Sequence, residues 1–142
     1  MKILVINGPG AVMQEKKDPR SGALALTAIE NRMEERAEEY GWGIDFYRTN
    51  SEGEIIGLLQ SAGKDCDAVI LNAGSYSHYS YAIRDAVESA AVPVIEVHAS
   101  NIYAREPFRT HSVLSPVCRG SISGFGEASY VLAMEALVEI IE

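Results

Sequence analysis

The chain has 142 residues, of which 47% are hydrophobic and 23% charged, and its formal net charge at pH 7 is −8. Residues 1–142 fit one domain with enough apolar side chains to fill a core, which excludes an intrinsically disordered protein. The acidic balance argues against non-specific nucleic-acid binding. No apolar run approaches the roughly 20 residues that span a bilayer, and the N-terminus predicts a strand instead of a signal peptide. We therefore expect a soluble, cytoplasmic protein.

Strand and helix patterns alternate along the chain. The first helix is predicted from apolar residues at helical spacing over 26–40, with Gly41 as its stop. Further helices are predicted over 54–62, 80–90 and 128–141. Short runs rich in Val and Ile, typical of strands covered on both faces, occur at Lys2–Asn7, Gly43–Arg48, Ala68–Asn72, 92–98 and Gly120–Ser123. This order predicts a three-layer α/β fold with a five-stranded parallel sheet, flavodoxin-like with strand order 2-1-3-4-5.

Ligands of such sheets bind outside the carboxyl ends of the strands, which selects the loops over 7–22, 49–53, 72–80 and 98–116. In the first loop Gly8 and Gly10 follow a strand. Neither GxGxxG nor GxxxxGK[ST] is present, so a phosphate cradle is disfavoured. The glycines, prolines and charges of this loop favour a mobile segment, and such a segment over a strand end can act as an active-site lid.

In the third loop Asn72 ends a strand, and His78 is expected to open a helix. His78 is expected to be neutral because a helix dipole disfavours its charged form there. A functional role and a simple cap or core role both fit this position. Asp85, about two turns further on, is more typical of a solvated or locally paired carboxylate.

The fourth loop is the densest in polar side chains. Glu96 and His98 lie inside an apolar strand, and alternation puts them on the same side of it. A carboxylate beside an imidazole is the arrangement of a general acid or base. Arg105 and Arg109 offer a bidentate grip on a substrate carboxylate. The loop therefore favours a small-acid site over a structural polar network.

The remaining candidate ligands do not indicate a metal or redox centre. The two cysteines lie far apart without a CxxC partner and are interpreted as core residues. The three histidines lack HxH or HExxH spacing. No metal or other cofactor is predicted.

Several stretches together resemble the type II 3-dehydroquinate dehydratases. In order they are MKILVINGPG, NSEGE, NAGSYSHYSYAIRDA, EVHASNIYAREPFRTHS and the GFG at 124–126. The resemblance implies elimination of water from 3-dehydroquinate to give 3-dehydroshikimate, in the shikimate or quinate pathway, without metal, nucleotide or Schiff base. It also implies homotrimers assembled into a dodecamer. In the family, a tyrosinate kept reactive by a lid arginine removes a proton beside the ketone. An asparagine-held water stabilises the enolate, and a histidine protonates the departing hydroxyl.

Much of that set of residues carries over by resemblance. His98 matches the general acid, and Glu96 matches the carboxylate that orients it. Asp85 matches a binding position often supplied across a subunit contact, and Ala99 matches a position that contributes its backbone. The substrate-binding positions are Asn72, His78, Asp85, Ala99, Ser100 and Arg109.

The first loop departs from the family pattern. Gly10 replaces the asparagine of GPN, and Lys17 replaces the activating arginine of Arg-Glu-Pro. Aligning the loop ends leaves one residue deleted and no tyrosine. Tyrosine starts near pKa 10 and needs a cationic neighbour to act as a base at neutral pH. Without a base, roughly 10²–10⁴-fold of rate is forfeited.

No obvious substitute for the lost tyrosine stands out. Tyr76, Tyr79 and Tyr103 lie near the relevant loops, and Arg20 offers a displaced cation. Three functions stay open: a lyase acting on 3-dehydroquinate, an enzyme acting on a related cyclic hydroxy acid, and a non-catalytic binder of such an acid. The retained acid pair favours an enzyme over a binder. The altered loop favours the second and third functions over an unimpaired lyase.

Overall fold

The computed structural model describes residues 1–10 and 26–141 of the chain. Its five strands pair side by side in parallel in the order β2-β1-β3-β4-β5, which confirms the predicted flavodoxin-like topology. The elements are β1 (Lys2–Asn7), α1 (Leu26–Tyr40), β2 (Gly43–Arg48), α2 (Glu52–Asp65), β3 (Ala68–Asn72), α3 (Tyr81–Ser89), β4 (Val94–His98), β5 (Gly120–Ser123) and α4 (Ala128–Ile141).

Helices cover both faces of the sheet, so the strands are buried between two apolar layers. On one face, Val5 and Ile70 pack with Met33 of α1 and Met134 of α4. On the other face, apolar side chains of the strands pack against α2 and α3. Each fully buried aliphatic side chain contributes roughly 1.5–3 kcal/mol through burial, which is why Val- and Ile-rich runs define the strands.

Three predicted boundaries were wrong. The strand β4 begins at Val94 instead of residue 92, directly after Pro93, which has no N–H to donate to a neighbouring strand. The helix α2 extends beyond 54–62, and Ser51 caps it by accepting a hydrogen bond from the Glu54 N–H. His78 closes a short 3-10 helix, Gly74–His78, instead of opening α3, which begins at Tyr81.

The carboxyl edge of the sheet brings the end of β1 against the end of β3. The Gly8 N–H donates to the Asn72 carbonyl at 2.7 Å. A Cβ atom at Gly8 would lie 2.8 Å from the Ala73 carbonyl oxygen. Gly74 has φ +62, and a Cβ there would lie 2.7 Å from the Gly10 nitrogen. Glycine is therefore required at both positions, because backbone approaches backbone at this point.

The expectations for the first loop fall mostly outside the described part of the chain. Gly10 is described, whereas Lys17, Arg20 and the deleted tyrosine position lie between residues 10 and 26. Within residues 1–10 and 26–141, no helix is long and apolar enough to cross a membrane.

Candidate active site

The predicted acid pair lies at the carboxyl end of β4. Glu96 is fully buried and His98 is 6% exposed. Their side chains contact each other, with the His98 Nε2 atom 3.0 Å from the Glu96 Oε2 atom. The register pairs Leu71 of β3 with Glu96, which puts both side chains on the sheet face that α2 and α3 cover. A buried carboxylate thus fixes the imidazole ring at the sheet edge.

Glu96 receives a hydrogen bond at each of its acceptor positions. Its Oε2 atom accepts from His98 and from the Ser112 hydroxyl, the latter at 2.6 Å. Its Oε1 atom accepts from the hydroxyls of Ser115 and Ser121. A carboxylate has about four lone-pair sites, and four donors occupy them here. No site is left at which a proton could bind without displacing a donor.

This ring of donors outweighs the cost of burying a charge. Burial alone raises the pKa of Glu96. Hydrogen bonds from His98, Ser112 and Ser115, together with the charge of His98, lower it to about 2. Glu96 is therefore ionised at neutral pH, in spite of its complete burial.

The hydroxyl of Ser112 is itself fixed by the backbone. Its Oγ atom accepts from the N–H groups of Leu114 and Ser115, each at 3.1 Å. With those two contacts on its lone pairs, the hydroxyl proton points at Glu96. The turn over 112–115 thus supplies two hydroxyl donors to the carboxylate, from Ser112 and Ser115.

The contact with Glu96 also determines which nitrogen of His98 is reactive. The Nε2 atom carries the proton that faces the carboxylate, so the Nδ1 atom is the one that can exchange a proton with a ligand. The arrangement suits a general acid, because an ionised partner stabilises the protonated imidazole without taking its proton.

His78 lies beside His98. The two rings stack with centroids 6.2 Å apart, and the centroids of the His78 and Phe108 rings lie 6.0 Å apart in a T-shaped contact. The Nδ1 atom of His78 is 2.7 Å from the His111 carbonyl oxygen and donates to it. Burial lowers the pKa of His78, the carbonyl contact opposes this, and the charges of His98 and Arg109 lower it further. The ring is therefore neutral at pH 7, with Nε2 as an acceptor.

Arg109 continues this row of side chains from His98 through His78 and Phe108. Its guanidinium lies 4.6 Å above the centre of the Phe108 ring. Its Nε atom donates to Glu106 at 2.6 Å, which holds the pKa of that carboxyl below its usual value. The terminal N–H groups of this guanidinium make no hydrogen bond to residues 1–10 or 26–141, so they can grip a carboxylate.

The four other predicted binding residues differ in burial and in their hydrogen-bond partners. Asn72 ends β3 and is buried, with its amide bonded to Tyr130 and to the Gly74 N–H. Ala99 is buried directly after His98, and the Ser100 hydroxyl accepts from Arg105 at 3.4 Å. Asp85 is exposed on α3, and its carboxylate makes no hydrogen bond or ion pair with the rest of the described chain. The structure does not bring Asp85 into contact with the acid pair.

The sequence reasoning missed the groups that hold the acid pair and Asn72. The serines around Glu96 were recognisable only as the pair in HSVLSP, and Ser121 comes from the next strand. Nothing in the sequence around Tyr130 and Asn7 indicates a role at the site, because each lies in an otherwise apolar segment. Their hydrogen bonds join parts of the chain 123 residues apart.

Neither cysteine is placed to act as a nucleophile. Burial and the nearby charge of Glu96 raise the pKa of Cys118 to about 12. Burial also raises the pKa of Cys66. Among residues 1–10 and 26–141, no group of three His, Cys, Asp or Glu side chains is placed to hold a metal ion.

Comparisons with a family model and with known proteins agree on one family. Residues 1–138 match the model for dehydroquinase class II. The 3-dehydroquinate dehydratase of Pelotomaculum thermopropionicum is 47% identical over 137 residues, covering 96% of this chain and 95% of that protein. The 3-dehydroquinate dehydratase of Caldicellulosiruptor bescii is 44% identical, covering 99% of both.

A solved structure has the same architecture. The type II dehydroquinase from Butyrivibrio crossotus superposes with a TM-score of 0.90 at 40% identity, covering 96% of this chain and 97% of that one. The chain therefore belongs to the class II dehydroquinase family.

Proposed function

We infer that this protein is a hydro-lyase that eliminates water from 3-dehydroquinate to give 3-dehydroshikimate. The observation that carries the inference is the His98–Glu96 pair, held at the carboxyl edge with the Nδ1 atom of His98 directed away from the carboxylate. The names of the relatives support the choice of substrate.

The chemistry follows from the charges of the described residues. Arg109 binds the substrate carboxylate, and Asn72, His78, Ala99 and Ser100 bind the substrate at the same edge. With the family's tyrosine deleted, water takes the proton beside the ketone, and the enolate that is left expels the hydroxyl as the carbon–oxygen bond breaks. The Nδ1 atom of His98 gives its proton to that hydroxyl, so water leaves and a carbon–carbon double bond remains. The ionised Glu96 stabilises the imidazolium before this transfer.

We propose further that turnover is slow because of the first loop. The general-acid half of the reaction depends on Glu96 and His98, both of which are present. The proton-abstracting half depends in the family on a tyrosine, an arginine and an asparagine. In this chain the tyrosine is deleted, Lys17 replaces the arginine and Gly10 replaces the asparagine. A lysine provides a point charge instead of the planar fork of arginine.

The altered loop also supports a second function. With the acid pair and Arg109 retained but the base absent, the same site suits a related cyclic hydroxy acid, either transformed by other chemistry or bound without turnover. Asp85 across a subunit contact, trimers assembled into a dodecamer, and a cytoplasmic location remain predictions that rest on the resemblance.

One assay separates these functions. Purified protein is incubated with 3-dehydroquinate, and the enone absorbance of the product is followed. We expect slow turnover that His98→Ala lowers by roughly 10²–10⁴-fold. His111→Ala is the matched control, since its side chain is exposed and makes no hydrogen bond within the described residues. If the parent binds 3-dehydroquinate but produces no enone, the second function is supported instead.

A further inference from the structure

A tyrosine hydroxyl joins two asparagines at the carboxyl edge. The Tyr130 hydroxyl of α4 donates to the Asn7 Oδ1 atom at 2.6 Å and accepts from the Asn72 Nδ2 atom at 2.9 Å. Asn7 ends β1 and Asn72 ends β3, and the two residues are register partners in neighbouring strands. Because both amides bond the same hydroxyl, the Asn7 Oδ1 and Asn72 Nδ2 atoms lie no further apart than the sum of these two hydrogen-bond lengths.

The directions of these hydrogen bonds are fixed. Burial raises the pKa of Tyr130 to about 12, so its hydroxyl keeps its proton and gives it to Asn7. The Gly74 N–H donates to the Asn72 Oδ1 atom at 3.1 Å, which orients that amide. The oxygen of each amide is thus committed to a protein donor.

What the two amides still offer is hydrogen-bond donors. One N–H of Asn72 is used by Tyr130, which leaves the other. The Asn7 Nδ2 atom has no hydrogen-bond partner within the described residues, although Asn7 is only 1% exposed. A buried donor without a partner is costly, and such groups are few in native proteins, where a bound water, ion or reacting group often explains them. The pair therefore matches an oxygen that accepts hydrogen bonds.

The position favours a ligand as that acceptor. In the order β2-β1-β3-β4-β5, the chain places β2 on one side of β1 and then β3, β4 and β5 on the other side. The direction in which strands are added therefore reverses between β1 and β3. Open α/β sheets bind their ligands in the crevice at this point, outside the strand ends. Asn7 and Asn72 are the residues that end these two strands.

We propose that Asn7 is a further substrate-binding residue, whose Nδ2 group donates to a carboxylate or hydroxyl oxygen of the cyclic acid beside Asn72, and that Tyr130 is the positioning residue that orients both amides. This inference rests on the proposed function, because the acid bound by Asn72 is the substrate named there. Contact with a group that does not react affects ground state and transition state alike, so it changes KM and leaves kcat nearly unchanged.

Substitutions at Asn7 separate binding from packing. Asn7→Asp keeps an oxygen for the Tyr130 hydroxyl and removes the donor, whereas Asn7→Ala removes both. Tyr130→Phe keeps the buried ring and removes only the hydroxyl that orients the amides. Tyr40→Phe is the matched control, because its hydroxyl bonds Glu135 on the surface, away from the strand ends.

The test measures kcat and KM for 3-dehydroquinate, the calorimetric Kd for quinate, and the melting temperature of each variant. We expect Asn7→Asp and Asn7→Ala to raise KM and Kd by roughly 10- to 100-fold, the loss of one hydrogen bond to a charged group. We expect Tyr130→Phe to raise KM less, and Tyr40→Phe to match the parent. Asn7→Asp should melt closer to the parent than Asn7→Ala does.

The outcomes identify which claim fails. If the parent neither turns over 3-dehydroquinate nor binds quinate, the proposed function is wrong and this inference is wrong with it. If the parent binds and the folded Asn7 variants bind equally well, only this inference is overturned. If Asn7→Asp does not fold, the same comparison is made with Tyr130→Phe, and an unchanged KM there refutes the positioning role.

Discussion

Replacing Ser112 by alanine removes one of the four hydrogen bonds that keep the buried Glu96 ionised. The lost contact is the 2.6 Å bond to Oε2, and a hydrogen bond to a charged group is worth about 1.5–3 kcal/mol. At 1.36 kcal/mol per pKa unit, the pKa of Glu96 should rise by roughly one to two units. The N–H groups of Leu114 and Ser115 also lose their acceptor, which destabilises the variant at every pH.

The pH dependence has a definite sign. The folded pKa of Glu96, about 2, lies below its ordinary value of 4.5. The unfolded chain therefore binds the proton more readily, and this linkage contributes about 3 kcal/mol of stability above pH 4.5. The contribution is lost as pH falls from 4.5 towards 2. In Ser112→Ala the folded pKa moves closer to 4.5, so less stability is present to be lost.

Urea unfolding of both proteins at intervals from pH 7 to pH 3 measures the difference. The stability gap between parent and Ser112→Ala should be constant near neutral pH and should narrow only as pH falls through the raised folded pKa of Glu96 in the variant, towards pH 3. Ser61→Ala is the control, since the Ser61 hydroxyl donates to the Leu58 carbonyl within α2 and makes no hydrogen bond to a carboxylate of the described residues. A gap for Ser112→Ala that is constant over this pH range would refute the linkage between this hydroxyl and Glu96.

Three further predictions concern the loop, the stacked histidines and the assembly. Gly10→Asn is expected to fold, because a Cβ there meets only the Gly74 Cα at 3.7 Å. It should raise kcat on 3-dehydroquinate, by up to roughly 10²-fold if the amide holds a water against the enolate; an unchanged kcat would count against this. The lowered pKa of His78 means that its imidazole should titrate below 6.5 by NMR, and that its burial lowers stability as pH falls through 6.5; titration at or above 6.5 would contradict the assignment. Light scattering should give a mass far above the 15.4 kDa of one chain, and a stable monomer at micromolar concentration would exclude the expected dodecamer.

The fold was predictable because its determinants are local in the sequence. Each strand is a short apolar run, each helix has apolar residues at helical spacing, and their alternation leaves few possible topologies. The boundaries that failed were decided by single groups, such as Pro93 before β4 and the Ser51 cap of α2. Both residues are visible in the sequence. Whether they end an element depends on the hydrogen bonds that the neighbouring strand, or the first turn of the helix, makes with them.

The candidate site was predictable only in part. Glu96 and His98 were recognisable because charged residues inside an apolar strand need a reason, and alternation placed them together. The hydroxyls of Ser112, Ser115 and Ser121 were not, because they reach Glu96 through tertiary packing from 16 to 25 residues away. The Asn7–Tyr130–Asn72 network escaped notice for the same reason, since it joins the first strand to the last helix.

The two halves of the proposed reaction depend on parts of the molecule with different constraints. The acid half is built into the sheet edge, where Glu96 cannot change without leaving three serine hydroxyls and an imidazole without a buried acceptor. Loss of Glu96 would therefore cost stability as well as activity. By resemblance, the base half belongs to residues between β1 and α1, most of which lie outside the described part of the chain. The slow turnover that we propose therefore concerns the base half alone, with the fold and the His98–Glu96 pair retained.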